Sequence, residues 1–190
     1  YVQSHARESV RSAELSLGSG NRVDRAFRIS AGRFDVRLAF IDSGFRWDHN
    51  DLKNKFFLNR LELPIPQYAN GEQAADYDLN QDGLFNLQDY AEDPRVSVSA
   101  GVNGDDQMLD VSDLLAVFSD GVDDDQNGYV DDISGWDFFN RDNDPYHTNN
   151  DGEFGTHGTG VLREAAGEGG NGGGIGVCPN CAAIPLRVGD

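Results

Sequence analysis

A single histidine, His157, lies in a run of small residues, GTHGTGV, at positions 155–161. Glycines on both sides of an imidazole let another backbone or a substrate approach closely, because no Cβ blocks the way. An imidazole in such a setting is suited to act as a general base near neutral pH. A glycine-rich turn before a helix is also common without any chemical role, so this motif alone leaves both interpretations open.

A candidate partner for the imidazole is Asp42, which follows a mostly apolar run at positions 36–41. Such a run predicts a strand that is buried on both faces of a parallel sheet, and the SG pair after the aspartate predicts a turn. Open α/β sheets place ligands beyond the carboxyl ends of their strands, where this carboxylate would lie. An Asx turn or a helix N-cap is the structural alternative. Aspartate before histidine is the order in which one class of hydrolases arranges its triad, with serine further along.

Three sequence blocks in this order resemble the subtilisin-like serine proteases, or subtilases. The blocks are FIDSG at 40–44 with HNDL at 49–52, then HGTGV at 157–161, then GIGV at 174–177 with IPLRV at 184–188. The resemblance implies that Asp42 orients His157 in a serine endopeptidase, with a protein or peptide as substrate and a propeptide as a further candidate partner. The blocks that carry the family's oxyanion asparagine and nucleophilic serine do not follow, so we expect a fragment with the Asp and the His but not the Ser.

The resemblance also implies an α/β fold, the subtilisin-like three-layer arrangement around a parallel sheet, present here in part. We expect an N-terminal extension at 1–33 and an incomplete catalytic domain at 34–190, with a calcium-binding insertion at about 73–119. Coarse patterns predict helices at 3–17, 22–28, 87–91, 114–118 and 161–166, and further strands at 135–139 and 182–188.

The charge is strongly asymmetric along the chain. Residues 1–60 carry eleven Lys and Arg against seven Asp and Glu, a net charge of +4, whereas residues 61–190 carry four against twenty-six, a net charge of −22. So acidic a segment repels nucleic acid and anionic membranes, which argues against both as partners. The carboxylates must either remain solvated or bind cations.

Residues 78–89 match the calcium-loop template, in which oxygen ligands occupy positions 1, 3, 5, 7, 9 and 12 and glycine occupies position 6. The predicted ligands are Asp78, Asn80, Asp82, the Leu84 carbonyl, Asn86 and Asp89. Aspartate at the last position, where glutamate is usual, resembles dockerin-type loops. A polar turn that happens to match is the alternative.

A degenerate copy of this loop follows 24 residues later. Asp106, Asp110 and Asp113 fall at positions 5, 9 and 12, whereas Val102 and Gly104 leave positions 1 and 3 without ligand side chains. The pair resembles a dockerin-like couplet. Whether the second copy binds metal is left open.

A third oxygen-rich loop lies ahead of the histidine block, at 123–132. Its predicted calcium ligands are Asp123, Asp125, Asn127, the Tyr129 carbonyl and Asp132. Adjacent carboxylates repel one another unless a cation lies between them, which favours a metal site here. An Asx-rich surface turn is the alternative.

The two cysteines, Cys178 and Cys181, stand immediately before a predicted strand. A redox CxxC pair normally begins a helix, which lowers the pKa of one thiol. A local disulfide in an oxidising compartment is therefore the favoured interpretation, with a redox pair and a zinc pair as alternatives.

Two functions fit these observations. The first is a secreted, extracellular and calcium-stabilised serine endopeptidase that hydrolyses peptide bonds with an Asp-His-Ser triad. The second is a calcium-dependent protein-binding module on a non-catalytic subtilase scaffold. The dockerin-like couplet supports the second, because paired loops of that kind present helices to protein partners.

Overall fold

A computed structural model describes residues 22–101, 107–147 and 157–189. The helices are α1 (Val23–Ala26), α2 (Val111–Phe118) and α3 (His157–Ala166), and a 3₁₀ helix spans Leu87–Tyr90. The strands are β1 (Arg37–Asp42), β2 (Trp136–Asp137) and β3 (Ala182–Arg187). The helix predicted at 3–17 lies outside the described residues. Helix α3 begins four residues earlier than predicted, with His157 itself as its first residue.

The three strands form one parallel sheet in the order β1-β3-β2. In the register between β1 and β3, Arg37 lies opposite Ala182 and Asp42 lies opposite Arg187. Parallel neighbours require long crossover connections, and here the chain passes through β2 and α3 before it returns as β3. The predicted parallel α/β arrangement is therefore confirmed in the described residues.

The prediction that β1 is buried on both faces is wrong. Its residues alternate between exposed and half-buried, and Ile41 is 66% exposed. The physical reason is that α3 packs against β1, whereas the described residues leave the face that carries Ile41 open. An apolar run is equally compatible with an edge strand that has one open face.

The hydrophobic core is built mostly by the segment that follows β1 and by the acidic region. Trp47 packs edge-on against Phe56 with 4.6 Å between ring centroids, and both side chains are fully buried. Leu87, Tyr90 and Leu114, which lie within residues 73–119, belong to the same buried cluster. The proposed insertion therefore shares its core with the segment that carries the aspartate block.

The two cysteines are joined by a disulfide, as predicted for this position. Strand β3 begins at the residue after Cys181. The Asn180 N–H donates to the Ala31 carbonyl at 3.1 Å, so the disulfide turn is fixed against the segment that leads into β1.

None of the described helices combines the length and the apolar character that a bilayer crossing requires.

Candidate functional site

Asp42 is the last residue of β1, and its side chain lies where the strand gives way to a turn. The Ser43 N–H donates to Asp42 Oδ1 at 2.7 Å, and the Val188 N–H donates to the Asp42 carbonyl at 3.0 Å. The first is a contact between neighbours in the turn, and the second continues the parallel pairing of β1 with β3. They fix the carboxylate at the carboxyl edge of the sheet, the position that the sequence predicts.

His157 lies directly opposite this carboxylate, although 115 residues separate the two in the chain. Its Nδ1 atom is 2.9 Å from Asp42 Oδ1 and 3.0 Å from Asp42 Oδ2. The histidine side chain is 76% exposed, whereas the aspartate side chain is only 17% exposed. The carboxylate is therefore sheltered under the imidazole, and most of the ring is open to solvent.

Two small residues allow α3 to begin so close to the sheet. A Cβ built on Gly158 would lie 2.5 Å from the Gly44 carbonyl oxygen and 3.0 Å from the Asp42 Cβ. Thr159 is buried, and its hydroxyl accepts the Arg46 N–H at 3.0 Å. The glycine and the threonine of the histidine block thus position α3 against the end of β1.

The pKa of Asp42 lies below its ordinary value. Burial is the largest single influence and raises the pKa, but the hydrogen bonds from Ser43 and from His157, together with the attraction of the imidazole, outweigh it. Asp42 therefore remains a carboxylate through the mildly acidic range. A fixed negative charge at Nδ1 selects the tautomer with the proton on that nitrogen.

Ser43 contacts the Asp42 carboxylate of this pair, whereas three other described serines bond elsewhere. Ser112 donates to Asp110 Oδ1, Ser134 donates to the Phe57 carbonyl, and Ser119 accepts from Asn143. Within residues 22–101, 107–147 and 157–189, no serine hydroxyl is hydrogen-bonded to His157. The described residues therefore place an aspartate and a histidine in direct contact, and no described serine hydroxyl is bonded to the histidine.

The first acidic loop, residues 78–89, folds around its own carboxylates. Asp78 accepts the N–H groups of Asp82 and Gly83 at 3.1 and 2.9 Å. Asp89 is fully buried, and its carboxylate accepts the Asn86 N–H at 2.9 Å. Burial, the largest influence, raises the pKa of Asp89, and the charge of Asp78 adds to that effect.

The loop at 123–132 repeats this pattern. Asp123 accepts the N–H groups of Asn127 and Gly128 at 3.0 and 2.8 Å, as Asp78 does for its own loop. Asp132 accepts from the Asn127 amide at 3.1 Å. Burial chiefly raises the pKa of Asp132, opposed by hydrogen bonds from Asn59 and Asn127 and supported by the charges of Asp125 and Asp123.

The two loops also share their backbone conformation. At position 4, Gln81 and Gln126 have φ values of 59° and 58°, and at position 6, Gly83 and Gly128 have φ values of 85° and 96°. Two left-handed residues two positions apart bring the chain around sharply, so that the side chains at positions 1, 3 and 5 converge. The residues at positions 4 and 6 are therefore alike in both loops, and calcium binding there stays a prediction.

The degenerate copy ends as the first loop does. Asn86 with Asp89 and Asp110 with Asp113 each form a reciprocal capping box at the start of a helix. Gln107 occupies position 6 of the copy with a φ of 61°. The geometry agrees with an internal repeat, whereas its relation to dockerins stays a prediction. Its third candidate ligand, Asp106, lies outside the described residues.

One acidic residue near the third loop was not predicted. One carboxylate oxygen from each of Glu62, Asp125 and Asp132 lies within 4.8 Å of the other two. Burial chiefly raises the pKa of Glu62, and the charges of Asp132, Asp125 and Asp124 raise it further, against the Asp125 N–H, which lowers it. One signal in the sequence could have indicated such a residue. The predicted ligands of the 123–132 loop stop before position 12 of the calcium template, so the set needs a ligand from elsewhere in the chain.

A second unpredicted feature lies beside the sheet. Arg187 of β3 forms a buried ion pair with Asp137 of β2, with 2.9 Å between Nη1 and Oδ2. Both side chains are nearly inaccessible to solvent, so the pair fixes how the two strands approach.

An open cavity of about 560 Å³ lies away from the histidine. It is bordered by residues 32–34, by Lys55, by the first acidic loop and by residues 179–180. Neither Asp42 nor His157 lines it.

Comparison with known proteins agrees with this geometry. A sequence profile described as the subtilase family matches residues 34–190. No curated protein sequence matches the chain. The matched region includes both the strand that ends at Asp42 and the helix that begins at His157. The chain therefore belongs to the subtilase family, whose members are serine peptidases.

Proposed function

We propose that the protein is a secreted, calcium-stabilised serine endopeptidase in which Asp42 and His157 are two members of an Asp-His-Ser triad. The observation that carries the proposal is the 2.9 Å contact between His157 Nδ1 and Asp42 Oδ1, beneath an imidazole that is 76% exposed. A histidine whose inner nitrogen is fixed by a carboxylate and whose ring faces solvent is arranged to accept a proton from an incoming nucleophile.

Each residue has a definite part in the reaction. His157 takes the proton of the serine hydroxyl as the oxygen attacks the peptide carbonyl, and then gives that proton to the leaving amine. Asp42 keeps the proton on Nδ1 and stabilises the imidazolium that forms. The proposal assigns the serine to none of the described residues, because no described serine hydroxyl is hydrogen-bonded to His157.

The acidic loops fit calcium by the chemistry of their donors. Carboxylates, amide oxygens and backbone carbonyls are the hard oxygen ligands that calcium takes, six to eight at a time. The loops at 78–89 and 123–132 offer such oxygens from residues brought together by the shared backbone turn. Bound calcium would neutralise the crowded carboxylates and stabilise the folded chain by mass action.

The disulfide supports an extracellular setting. Disulfides persist in oxidising compartments and are rare in the cytosol of mesophiles. Cys178 and Cys181 are paired, and both of the described chain's cysteines are accounted for by this bond. Protein or peptide substrates follow from the family.

The binding-module alternative has one observation in its favour, the two capping boxes spaced as in a repeat. However, Leu87, Tyr90 and Leu114 of the two short helices are fully buried in the hydrophobic core. These side chains are therefore unavailable to a protein partner, and we place the endopeptidase first.

The catalytic part is tested by measuring peptide hydrolysis with the intact protein and its His157→Ala variant. We expect a loss of about three or more orders of magnitude in kcat/KM, with the melting temperature unchanged because the ring is mostly exposed. Equal rates in the two proteins would exclude His157 from catalysis.

The calcium part is tested by isothermal titration of chelator-treated protein. We expect saturable calcium binding, with one site abolished when Asp78 and Asp82 are both changed to Ala. A wild-type protein that takes up no calcium would remove the metal from the proposal.

A further inference from the structure

The loop at 123–132 lacks the last ligand of the calcium template. Position 12, which supplies a bidentate carboxylate in the usual loop, is Ser134 here. The Ser134 hydroxyl is already committed, because it donates to the Phe57 carbonyl at 2.8 Å. Asp131, at position 9, accepts the N–H groups of Asp120 and Gly121 at 2.8 and 2.9 Å. The loop alone therefore presents an incomplete set of oxygens.

Glu62, from a distant part of the chain, lies where the missing carboxylate is needed. It is only 4% exposed, and its Oε1 atom accepts the Asp125 N–H at 3.1 Å. Its Oε2 atom is buried and has no hydrogen-bond partner among the described residues. A buried carboxylate oxygen without a donor is unfavourable, and two neighbouring carboxylates make it more so.

Asn59 arranges the two neighbouring carboxylates. Its side-chain amide donates to Asp125 Oδ2 at 3.0 Å and to Asp132 Oδ1 at 2.9 Å. Asn59 thus orients two carboxylates of the loop, and Glu62, in the same short segment, adds a third carboxylate beside them. Donors of this kind outside the ligand set are typical of metal sites.

We propose that Glu62 is a calcium ligand that completes the site of the 123–132 loop from outside the loop. The proposal rests on the calcium-binding part of the proposed function. An oxygen-only, strongly anionic donor set selects calcium over zinc, which prefers nitrogen and sulfur. Because Leu63 belongs to the hydrophobic core, a cation bound to Glu62 would tie the loop to the segment that follows the aspartate block.

The test uses the intact protein with both Asp78 and Asp82 changed to Ala, so that the first loop does not contribute. In this background, calcium binding and melting temperature are measured for Glu62→Gln and for the matched control Glu72→Gln. Glutamine keeps an oxygen that can accept the Asp125 N–H, so the substitution removes charge and little else. Glu72 is exposed, and its substitution removes the same charge from the same acidic region.

We expect Glu62→Gln to weaken calcium binding by at least about tenfold and to lower the melting temperature in calcium. In chelator, the same variant should melt at an equal or higher temperature, because a buried like-charge contact has been removed. Glu72→Gln should change neither quantity.

Two results would overturn the proposal. One is unchanged calcium affinity in Glu62→Gln, and the other is an equal fall in melting temperature with and without calcium, which would indicate a purely structural glutamate. If the protein with Asp78 and Asp82 both changed to Ala binds no calcium, this proposal is overturned. The proposed calcium site of the 123–132 loop is then overturned with it. Failure of the peptidase assay would leave the titration unaffected, so the two failures are distinguishable.

Discussion

Gly158 lies directly against the backbone of Gly44, so that a Cβ added to Gly158 would come within 2.5 Å of the Gly44 carbonyl oxygen. Gly158 is the residue after His157 in α3. Gly44 is separated by one turn residue from Asp42, the last residue of β1. The close backbone approach of these two glycines therefore sets the distance between the imidazole and the carboxylate. A side chain at position 158 would force the helix and the strand end apart.

We predict that Gly158→Ala lengthens or breaks the contact between Asp42 and His157 and lowers peptide hydrolysis by about 10²-fold or more, the size of effect that a small misplacement produces. The matched control is Gly160→Ala in the same helix, because a Cβ there meets nothing within 4 Å. That substitution should stabilise α3 by about 0.5–1 kcal/mol and leave the rate unchanged. Equal rates for the two variants would show that the approach of Gly158 is not limiting.

Calcium binding by the third loop can be separated from general charge effects with two adjacent aspartates. Asp123 accepts the N–H groups of Asn127 and Gly128, whereas Asp124 is exposed and occupies a position that the template does not use. We predict that Asp123→Asn weakens calcium binding by about tenfold or more and that Asp124→Asn changes it by no more than about twofold. Similar losses in both variants, measured by calorimetry, would mean that only the overall charge matters.

Much of the candidate site could be predicted from the sequence because its chemistry is local. The turn after β1 and the small residues around His157 each constrain the backbone over a few positions. The contact between them spans 115 residues and was predicted from motif order rather than from any local rule. The left-handed residues Gly83 and Gly128 could also be predicted, because the calcium-loop template requires glycine at position 6.

What the sequence did not reveal depends on which segments meet in space. Glu62 is far in the sequence from the loop at 123–132, and nothing near Glu62 points to that loop. Likewise, the exposure of Ile41 depends on which face of β1 is covered by other elements, and an apolar run does not specify that. The burial of Tyr90 within the core is a third case, because its region is dominated by acidic residues.

A buried ion pair makes a prediction about pH. Arg95 donates to both oxygens of Asp93 at 2.9 and 2.6 Å, and the Asp93 side chain is fully buried. Burial is the largest influence and raises the pKa of Asp93, but the hydrogen bonds from Arg95 and from the Gln67 N–H outweigh it, so the pKa is lowered. The Asp93 carboxyl therefore binds a proton less readily in the folded state than in the unfolded state. The pair stabilises the folded state fully above the ordinary aspartate pKa, and this stabilisation is lost as the pH falls through the lowered pKa of Asp93.

We therefore predict that Arg95→Gln lowers the free energy of unfolding by about 1–3 kcal/mol at pH 7, less than for a fully buried pair because Arg95 is 30% exposed. The difference from wild type should shrink in strongly acidic solution, where Asp93 is protonated in both proteins. Urea unfolding at both pH values provides the measurement, and the exposed Arg28→Gln is the control. A difference that is independent of pH would contradict the pairing.

The disulfide should contribute modestly to stability. Cys178 and Cys181 are separated by three positions, so the bond closes a short loop, and a chain-entropy estimate gives about 2 kcal/mol. We predict that a reducing agent lowers the melting temperature of the wild type and has no further effect on a variant with both cysteines changed to Ala. A wild-type melting temperature that does not respond to full reduction would contradict this estimate.

The central claim is that Asp42 and His157 act as one catalytic unit, and a double-mutant cycle tests it most directly. The quantity to measure is kcat/KM for peptide hydrolysis by the intact protein and by its Asp42→Asn, His157→Ala and doubly substituted variants. If the two residues act together, the double variant will be no slower than His157→Ala alone, because removing the histidine already abolishes what the aspartate supports. If the two losses multiply instead, the residues act independently and the proposed unit does not exist.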